Sequence, residues 1–240
     1  MIVLRIVLGL FVLCVALFVI FWIGCLIIGY TINIHKEYEH FSDFYGKVFN
    51  AKYSFGIWLS GGRIKYYGMD KLPEGERFLF VSNHRSRYDT FVHAMALKRI
   101  AFISKPDNFK IPLGRRFMIR CLYMAIDREN ARNAAKTIRH AADLISRGEC
   151  SIGVYPEGTR NRVNDTLIEF RPGCFKIALW AKCPIVVGVT KGTDRLKYNF
   201  PGTTDIEFKI IKVLPYEEIK DLTTGEIAEI VRNLMLEELA

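Results

Sequence analysis

Residues 78–90 read FLFVSNHRSRYDT, an apolar run followed by a polar turn. The run is short and continuous, which is typical of a buried strand. His84 and Asp89 follow it five residues apart, and a regular helix or strand would point their side chains away from each other. We therefore predict a turn between them that leads into a helix. In that turn Asp89 can hold one imidazole nitrogen of His84 while the other nitrogen faces a substrate.

Apolar runs and helical patterns alternate along the rest of the chain. The runs that read as strands lie at residues 78–82, 101–104, 151–155, 184–190 and 206–214. Apolar positions between residues 134 and 145 recur with helical spacing and stop at Gly148, and residues 224–239 predict a last helix. This alternation predicts an α/β fold: a layered, mostly parallel sheet with flanking helices.

The N-terminal region predicts a membrane segment. Residues 6–34 carry no charge, and a helix of that length would reach roughly 43 Å, against about 30 Å for the hydrocarbon core of a bilayer. A signal peptide is the competing interpretation, but the run is too long and no small-residue cleavage site follows it. The charges at Arg5 and Lys36 do not decide the orientation, and the helix either spans the bilayer or pairs with a second helix in one leaflet.

Residues 35–59 predict that second helix. Its apolar stripe recurs with helical spacing at Phe41, Phe44, Tyr45, Val48 and Phe49. Because it follows a membrane segment and carries lysines, we expect it to lie in the membrane interface, and it is also a candidate wall for an acyl-chain groove. The predicted organisation is a two-helix membrane anchor at residues 1–60 and an α/β domain at residues 61–240.

Composition narrows the class of partner. The formal net charge is +9 over 240 residues, which indicates an anionic partner: nucleic acid, an anionic membrane surface or a phosphorylated ligand. The six cysteines form no C-x-x-C pair, so neither a disulfide framework nor a zinc site is indicated, and a reducing, cytosol-facing location is expected.

A second polar motif, YPEGTR at residues 155–160, follows a predicted strand. Its proline and glycine form a turn that brings Glu157 and Arg160 to the strand end, where α/β folds usually bind ligands. Basic side chains that could join Arg160 on one anion are Arg171, Lys176 and Lys105. The alternative is a turn with solvated charges.

Together these motifs resemble the lysophosphatidic acid acyltransferase (1-acyl-sn-glycerol-3-phosphate acyltransferase) family of the glycerolipid acyltransferase superfamily. His84 with Asp89 looks like the first family block, residues 105–114 resemble the second, and residues 156–160 match the third. Residues 184–187 resemble the fourth, although Gly188 departs from its pattern. The blocks occur in the family's order over roughly residues 60–215, and their joint occurrence is far more specific than any one of them.

The resemblance implies roles for individual residues. His84 would be the catalytic base and Asp89 its orienter. Residues 157–160 (Glu157, Gly158, Thr159 and Arg160) would belong to the acyl-acceptor site, with Arg160 and Lys105 as phosphate ligands. The implied donor is acyl-CoA or acyl carrier protein, the acceptor is lysophosphatidic acid, and neither a cofactor nor a metal ion is expected. The implied location is the plasma (inner) membrane, with the catalytic domain facing the cytoplasm.

Other functions remain open at this point. Within the class, the acceptor could instead be glycerol 3-phosphate or another lysophospholipid. Outside it, the chain could be a membrane-tethered protein that binds anionic lipid without catalysis. A hydrolase is less favoured because no Gly-x-Ser-x-Gly elbow accompanies the histidine, and a nucleic-acid binder is disfavoured by the membrane segment and the lack of a binding motif.

Overall fold

The computed structural model describes residues 2–162 and 167–240, which form a seven-stranded sheet with flanking helices. The strands are β1 (Gly62–Tyr67), β2 (Leu79–Ser82), β3 (Ile100–Ser104), β4 (Met124–Ala125), β5 (Ser151–Val154), β6 (Ile185–Lys191) and β7 (Thr204–Leu214). The helices are α1 (Ile2–Tyr30), α2 (Asp43–Leu59), α3 (Asp89–Leu97), α4 (Pro112–Arg120), α5 (Ala131–Ser146), α6 (Lys176–Ala181), α7 (Leu196–Asn199), α8 (Tyr216–Ile219) and α9 (Thr224–Leu239).

The sheet order is β1-β7-β6-β2-β5-β3-β4, and every neighbouring pair is parallel except β6 and β7. The predicted α/β fold is therefore confirmed. Strands β2 and β5 are buried throughout, which explains why their sequences are continuously apolar rather than alternating. Because β2, β5 and β3 are parallel neighbours, the loops that leave their carboxyl ends meet at one edge of the sheet.

Gly153 lies in the middle of β5, between Phe80 of β2 and Phe102 of β3. A Cβ atom at this position would collide with the Phe102 ring, which lies directly over the glycine. The Phe102 ring is also stacked near Tyr155, the residue that follows β5, at a centroid distance of 5.9 Å. Glycine here lets an aromatic ring approach the backbone of the central sheet beside the strand end.

Helix α1 is 29 residues long and apolar, and by length and composition it could cross a membrane. Its most apolar stretch is not buried against the rest of the protein, so it presents its side chains outward. Towards its C-terminal end it packs on the rest of the fold: Phe18 and Phe21 contact Phe55 of α2, and Gly29 lies against α4. These features indicate membrane association through α1.

Helix α2 differs from its prediction in two respects. It begins at Asp43, so residues 35–42 form a connection rather than part of the helix. The Asp43 carboxylate suits the positive N-terminal end of the helix dipole. Its aromatic stripe was expected in the membrane interface, but Phe41 and Phe49 are buried, and Phe49 stacks on Phe117 of α4 at 5.4 Å. Phe44 and Trp58 do remain exposed. The stripe is mainly core because α2 packs on α3 and α4.

Helix α5 lies between the sheet and solvent. The Asn130 side chain caps it by accepting the Asn133 backbone N–H at 3.1 Å, and Gly148 follows its end with a left-handed φ of 73°. One face buries the apolar residues Ile138, Ala141, Ala142, Leu144 and Ile145. The opposite side is polar, so the helix is strongly amphipathic.

We predict that Gly153→Ala destabilises the protein by about 1–3 kcal/mol, because the added methyl group must displace the Phe102 ring from a close-packed sheet. The measurement is the thermal unfolding midpoint in detergent. The control is Gly225→Ala in the first turn of α9, where the nearest atom would lie 3.8 Å from the added Cβ. That variant should be neutral or slightly stabilising. Equal midpoints for the two variants would contradict the packing argument.

Candidate active site

The polar turn after β2 begins with a side chain that locks it to the neighbouring strand. The Asn83 amide donates to the Thr190 carbonyl at 2.9 Å and accepts the Thr190 backbone N–H at 2.8 Å. Asn83 thus replaces a backbone pair at the point where β2 leaves the sheet beside β6. These two hydrogen bonds fix the direction in which the chain continues to His84.

The carboxylate of Asp89 is the centre of the turn. Its Oδ2 accepts the His84 Nδ1–H and the backbone N–H groups of Arg85 and Ser86, each at 2.8 Å, and its Oδ1 accepts the Thr193 hydroxyl. Burial alone would raise the pKa of Asp89, but its hydrogen bonds to His84 and Thr193 and its electrostatic attraction to His84 outweigh that effect and lower the pKa. Asp89 is therefore ionised, and the predicted turn that joins it to His84 is confirmed.

This contact determines which nitrogen of His84 is available for chemistry. An ionised carboxylate can only accept, so Nδ1 carries the hydrogen and Nε2 has a free lone pair. The ring stacks on Tyr155 with a centroid distance of 4.0 Å, and the side chain is 17% exposed, towards a large cavity. His84 has the geometry of a general base held in one tautomer.

Glu157 requires a correction to its expected role as a substrate ligand. Its side chain is buried, does not line the cavity, and accepts the His84 backbone N–H at 2.7 Å and the Ile168 backbone N–H at 3.3 Å. Burial raises the pKa of this carboxyl group, although the two backbone hydrogen bonds act in the opposite direction. Glu157 therefore ties the loop after β5 to the loop that carries His84.

The cavity has a volume of about 640 Å³ and one strongly cationic part. The basic side chains that line it are Arg87, Lys105, Arg128, Arg160, Arg171 and Lys176. Within residues 2–162 and 167–240, none of these six lies within 4.0 Å of a carboxylate. Such a concentration of unneutralised positive charge is suited to bind an anion.

The four basic residues named from the sequence (Lys105, Arg160, Arg171 and Lys176) all line this cavity, as do Gly158 and Thr159. Gly158 has a φ of 69°, and a Cβ atom there would lie 2.9 Å from the Arg171 side chain, so only glycine fits both constraints. The structure therefore brings the residues of the second, third and downstream motifs to a single site beside His84.

Arg87 and Arg128 belong to the same cationic part, but the sequence alone did not single them out. Burial and repulsion by Arg171 lower the pKa of Arg128, and burial with repulsion by Arg162 and Arg87 lowers that of Arg160. The one signal that could have indicated Arg128 is its position shortly after a short apolar run, like that of Lys105.

The rest of the cavity is apolar and aromatic. It is lined by Phe49 and Tyr53 of α2, Phe91 of α3, Met118 of α4, Tyr123 just before β4, and Ile138 of α5, among others. Tyr53 stacks on Phe91 at 3.4 Å, and Phe49 meets Tyr123 edge-on at 5.9 Å. Because these rings come from α2 as well as from α3 and from Tyr123, the chamber forms where α2 packs against the rest of the fold.

His93 lies behind the pair and was expected to be a surface or core residue. It is fully buried, with Nδ1 3.0 Å from the Tyr155 hydroxyl and Nε2 2.5 Å from the Thr190 hydroxyl. Burial lowers its pKa from 6.5 to about 3, although nearby Asp89 acts in the opposite direction. His93 is a neutral core residue that holds Tyr155, the ring on which His84 stacks.

The buried neutral His93 predicts acid sensitivity. An unfolded chain protonates this residue below about pH 6.5, whereas the folded protein does not until about pH 3, so acid favours the unfolded state. Its contribution should lower the free energy of unfolding by about 1.4 kcal/mol for each pH unit below 6.5. Denaturant titrations at a series of pH values measure the free energy of unfolding. The difference in this free energy between the wild type and His93→Gln should shrink by that amount for each pH unit. An unchanged slope in His93→Gln would refute the assignment.

Comparison with known proteins identifies relatives. The sequence profile of the acyltransferase family matches residues 35–189, well over half of the chain. The 1-acyl-sn-glycerol-3-phosphate acyltransferase of Saccharomyces cerevisiae is 26% identical over 186 residues, which cover 75% of this chain and 61% of that protein. The enzyme of the same name from Limnanthes douglasii is 30% identical over 185 residues, covering 74% and 63%. The chain thus spans about three fifths of the length of these relatives.

A solved structure has the same fold. The crystal structure of the 1-acyl-sn-glycerophosphate (LPA) acyltransferase PlsC from Thermotoga maritima superposes with a TM-score of 0.67 at 20% identity, over 81% of this chain and 78% of that one. Because the family profile covers the turn after β2, the loop after β5 and the cavity between them, the chain belongs to the acyltransferase family.

Proposed function

We propose that this protein transfers a fatty acyl group from a thioester donor, acyl-CoA or acyl carrier protein, to the free hydroxyl of lysophosphatidic acid and so makes phosphatidic acid. One observation carries the proposal: a single cavity combines a histidine base, a cluster of cations and an apolar chamber. The relatives named 1-acyl-sn-glycerol-3-phosphate acyltransferase support it.

In the proposed reaction His84 Nε2 removes the proton of the acceptor hydroxyl as its oxygen attacks the thioester carbonyl. A tetrahedral intermediate forms, then the carbon–sulfur bond breaks and the thiolate leaves with the proton that His84 carried. Asp89 stabilises the transient imidazolium and keeps the ring in the required tautomer. No protein nucleophile takes part: Ser82 precedes the turn and Ser86 lies within it, and both side chains are buried.

The cations supply the binding site for the acceptor's phosphate. A phosphate monoester carries up to two negative charges, and the planar guanidinium group of arginine can donate two parallel hydrogen bonds to it. Arg160 adjoins the histidine turn, and Arg171 lies against Gly158, so a phosphate held there would be close to His84. An anion would also relieve the mutual repulsion between Arg128 and Arg171.

The apolar chamber supplies a site for an acyl chain. Phe49, Tyr53, Phe91 and Met118 offer a wall without charged groups, so an alkyl chain entering it gains about 0.8 kcal/mol for each buried CH₂ group. Free glycerol 3-phosphate has no alkyl chain of its own, whereas lysophosphatidic acid and the donor each have one. The chamber therefore favours lipid substrates over small phosphates.

We further propose that the protein resides in the plasma (inner) membrane with the α/β domain on the cytoplasmic side. Helix α1 provides an apolar anchor next to the domain, so the site lies where lysophosphatidic acid is dissolved. The six free cysteines agree with a reducing compartment, and the net charge of +9 favours contact with anionic lipid.

The proposal predicts that His84→Ala lowers kcat by at least roughly 100-fold, because the hydroxyl loses its general base. Asp89→Asn should lower it by roughly 10²- to 10⁴-fold through loss of the tautomer-fixing partner. Release of free thiol from palmitoyl-CoA in the presence of lysophosphatidic acid measures the reaction. His35→Ala is the exposed control, and thermal midpoints verify that each variant is folded. Turnover at the wild-type rate by a folded His84→Ala protein would sink the proposed mechanism.

A separate prediction concerns the phosphate site. Arg160→Gln should raise the KM for lysophosphatidic acid by roughly 10- to 100-fold, since charge-assisted hydrogen bonds are worth about 1.5–3 kcal/mol. The loss should be smaller for lysophosphatidylcholine, whose phosphodiester carries a single negative charge. Arg63→Gln, an exposed position on β1 at the other end of the sheet, is the matched control. A KM that is unaffected, or equally affected for both acceptors, would place the phosphate elsewhere.

A further inference from the structure

The outer face of α5 carries a row of basic side chains: Arg132, Lys136, Arg139 and His140. At 100° per residue these positions fall on one side of the helix, and all four are exposed. Together they line a shallow hollow on the surface, separate from the cationic part of the main cavity. Asp143 is the acidic residue of the hollow, and it is paired with Arg147 at 3.1 Å.

The same helix forms a wall of the main cavity. Ala131, Ala134, Ala135 and Ile138 line the cavity from a face of α5 that lies about 130° around the helix from the basic row. Ala135 belongs to both surfaces. The hollow and the cavity are therefore neighbours across the edge of one helix.

Trp180 of α6 is the second wall that the two surfaces share. Its ring is 38% exposed, and the Arg139 guanidinium lies 4.2 Å from its centroid. The Lys176 ammonium, which lines the main cavity, lies 5.9 Å from the same ring. Positive charge thus continues from inside the cavity, past Trp180, to the basic row outside.

Two charged substrates have to reach one histidine. The phosphate of lysophosphatidic acid is only a few bonds from its reacting hydroxyl, so it must bind inside, where Arg160 and Arg171 lie. A phosphopantetheine thioester has the opposite layout: its phosphate lies at the far end of a long neutral arm from the reacting carbonyl. The hollow, which adjoins the cavity but lies outside it, matches the second layout.

We propose that the hollow on α5 and Trp180 docks the anionic carrier end of the acyl donor, that is, the phosphate side of a phosphopantetheine thioester. The inference rests on the proposed function and adds the place where the donor binds. Coenzyme A and acyl carrier protein both present this phosphate next to further negative charge, so both are sources of the same chemistry. The arm passes between Ala135 and Trp180 into the cavity.

The test reverses two charges of the row with the variant Arg132→Glu/Lys136→Glu. The KM for palmitoyl-CoA and for palmitoyl-acyl carrier protein should each rise by about tenfold or more, and this rise should shrink at high salt. The KM for lysophosphatidic acid, and kcat at saturating donor, should stay within about twofold of wild type. Assays in neutral detergent micelles remove any contribution from an anionic lipid surface.

The matched control is Lys65→Glu/Lys212→Glu, which changes the net charge equally. Both lysines are exposed on strands β1 and β7, at the opposite end of the sheet from the strands β4 and β5 that contact α5. Its donor KM should equal that of the wild type. An equal rise in both double variants would mean that only overall charge matters and would overturn the docking site.

Each remaining outcome is decisive. A rise with both donors supports recognition of the shared phosphate, and a rise with one donor supports the site and identifies its carrier. Unchanged KM values for both donors overturn the docking site while leaving the proposed function intact.

If the wild type transfers no acyl group, the proposed function fails. Equilibrium binding of coenzyme A and holo-acyl carrier protein then tests the hollow. Weaker binding to the Arg132→Glu/Lys136→Glu variant supports docking, whereas binding that is equal or absent refutes it.

Discussion

The geometry of the site depends on one buried carboxylate. A buried charge without donors would be very unfavourable, so Asp89 can exist as an anion only where His84, Arg85, Ser86 and Thr193 all reach it. These donors come from the turn after β2 and from the segment after β6. The carboxylate therefore joins two parts of the chain that are distant in sequence, and the turn is stable only in the conformation that presents His84 to the cavity.

Two further side chains act in the same way. Asn83 pairs with the backbone of Thr190 on β6, and Glu157 accepts the backbone N–H of His84 from the loop after β5. The turn after β2 is thus held to β6, to the segment after β6 and to the loop after β5 by hydrogen bonds of polar side chains. The result is a rigid setting in which His84 Nε2 is the free position of the ring.

The basic residues of the cavity, unlike these stabilising side chains, are unfavourable for the folded state. Burial, and after it the repulsion of Arg160 by Arg87 and of Arg128 by Arg171, lowers the pKa values of Arg160 and Arg128. Fold stability gains nothing from such an arrangement, so it is best understood as preorganised for an anionic ligand. Helix α5 separates this inner charge from the basic row on its outer face, and its period of 3.6 residues is what allows one short helix to serve both surfaces.

Local patterns in the sequence were sufficient for five of the seven strands (β2, β3, β5, β6 and β7, but not the edge strands β1 and β4), the apolar helix α1, the helices α5 and α9, and the pairing of His84 with Asp89. These features follow from hydrophobic periodicity, capping residues and turn chemistry, which act over a few residues. The tertiary structure alone decided that Glu157 faces inward, that Thr193 and Arg128 join the site, and that the aromatic stripe of α2 packs mainly into the core. Each of these depends on contact between segments far apart in the chain, and no local spacing specifies which distant surface a side chain will meet.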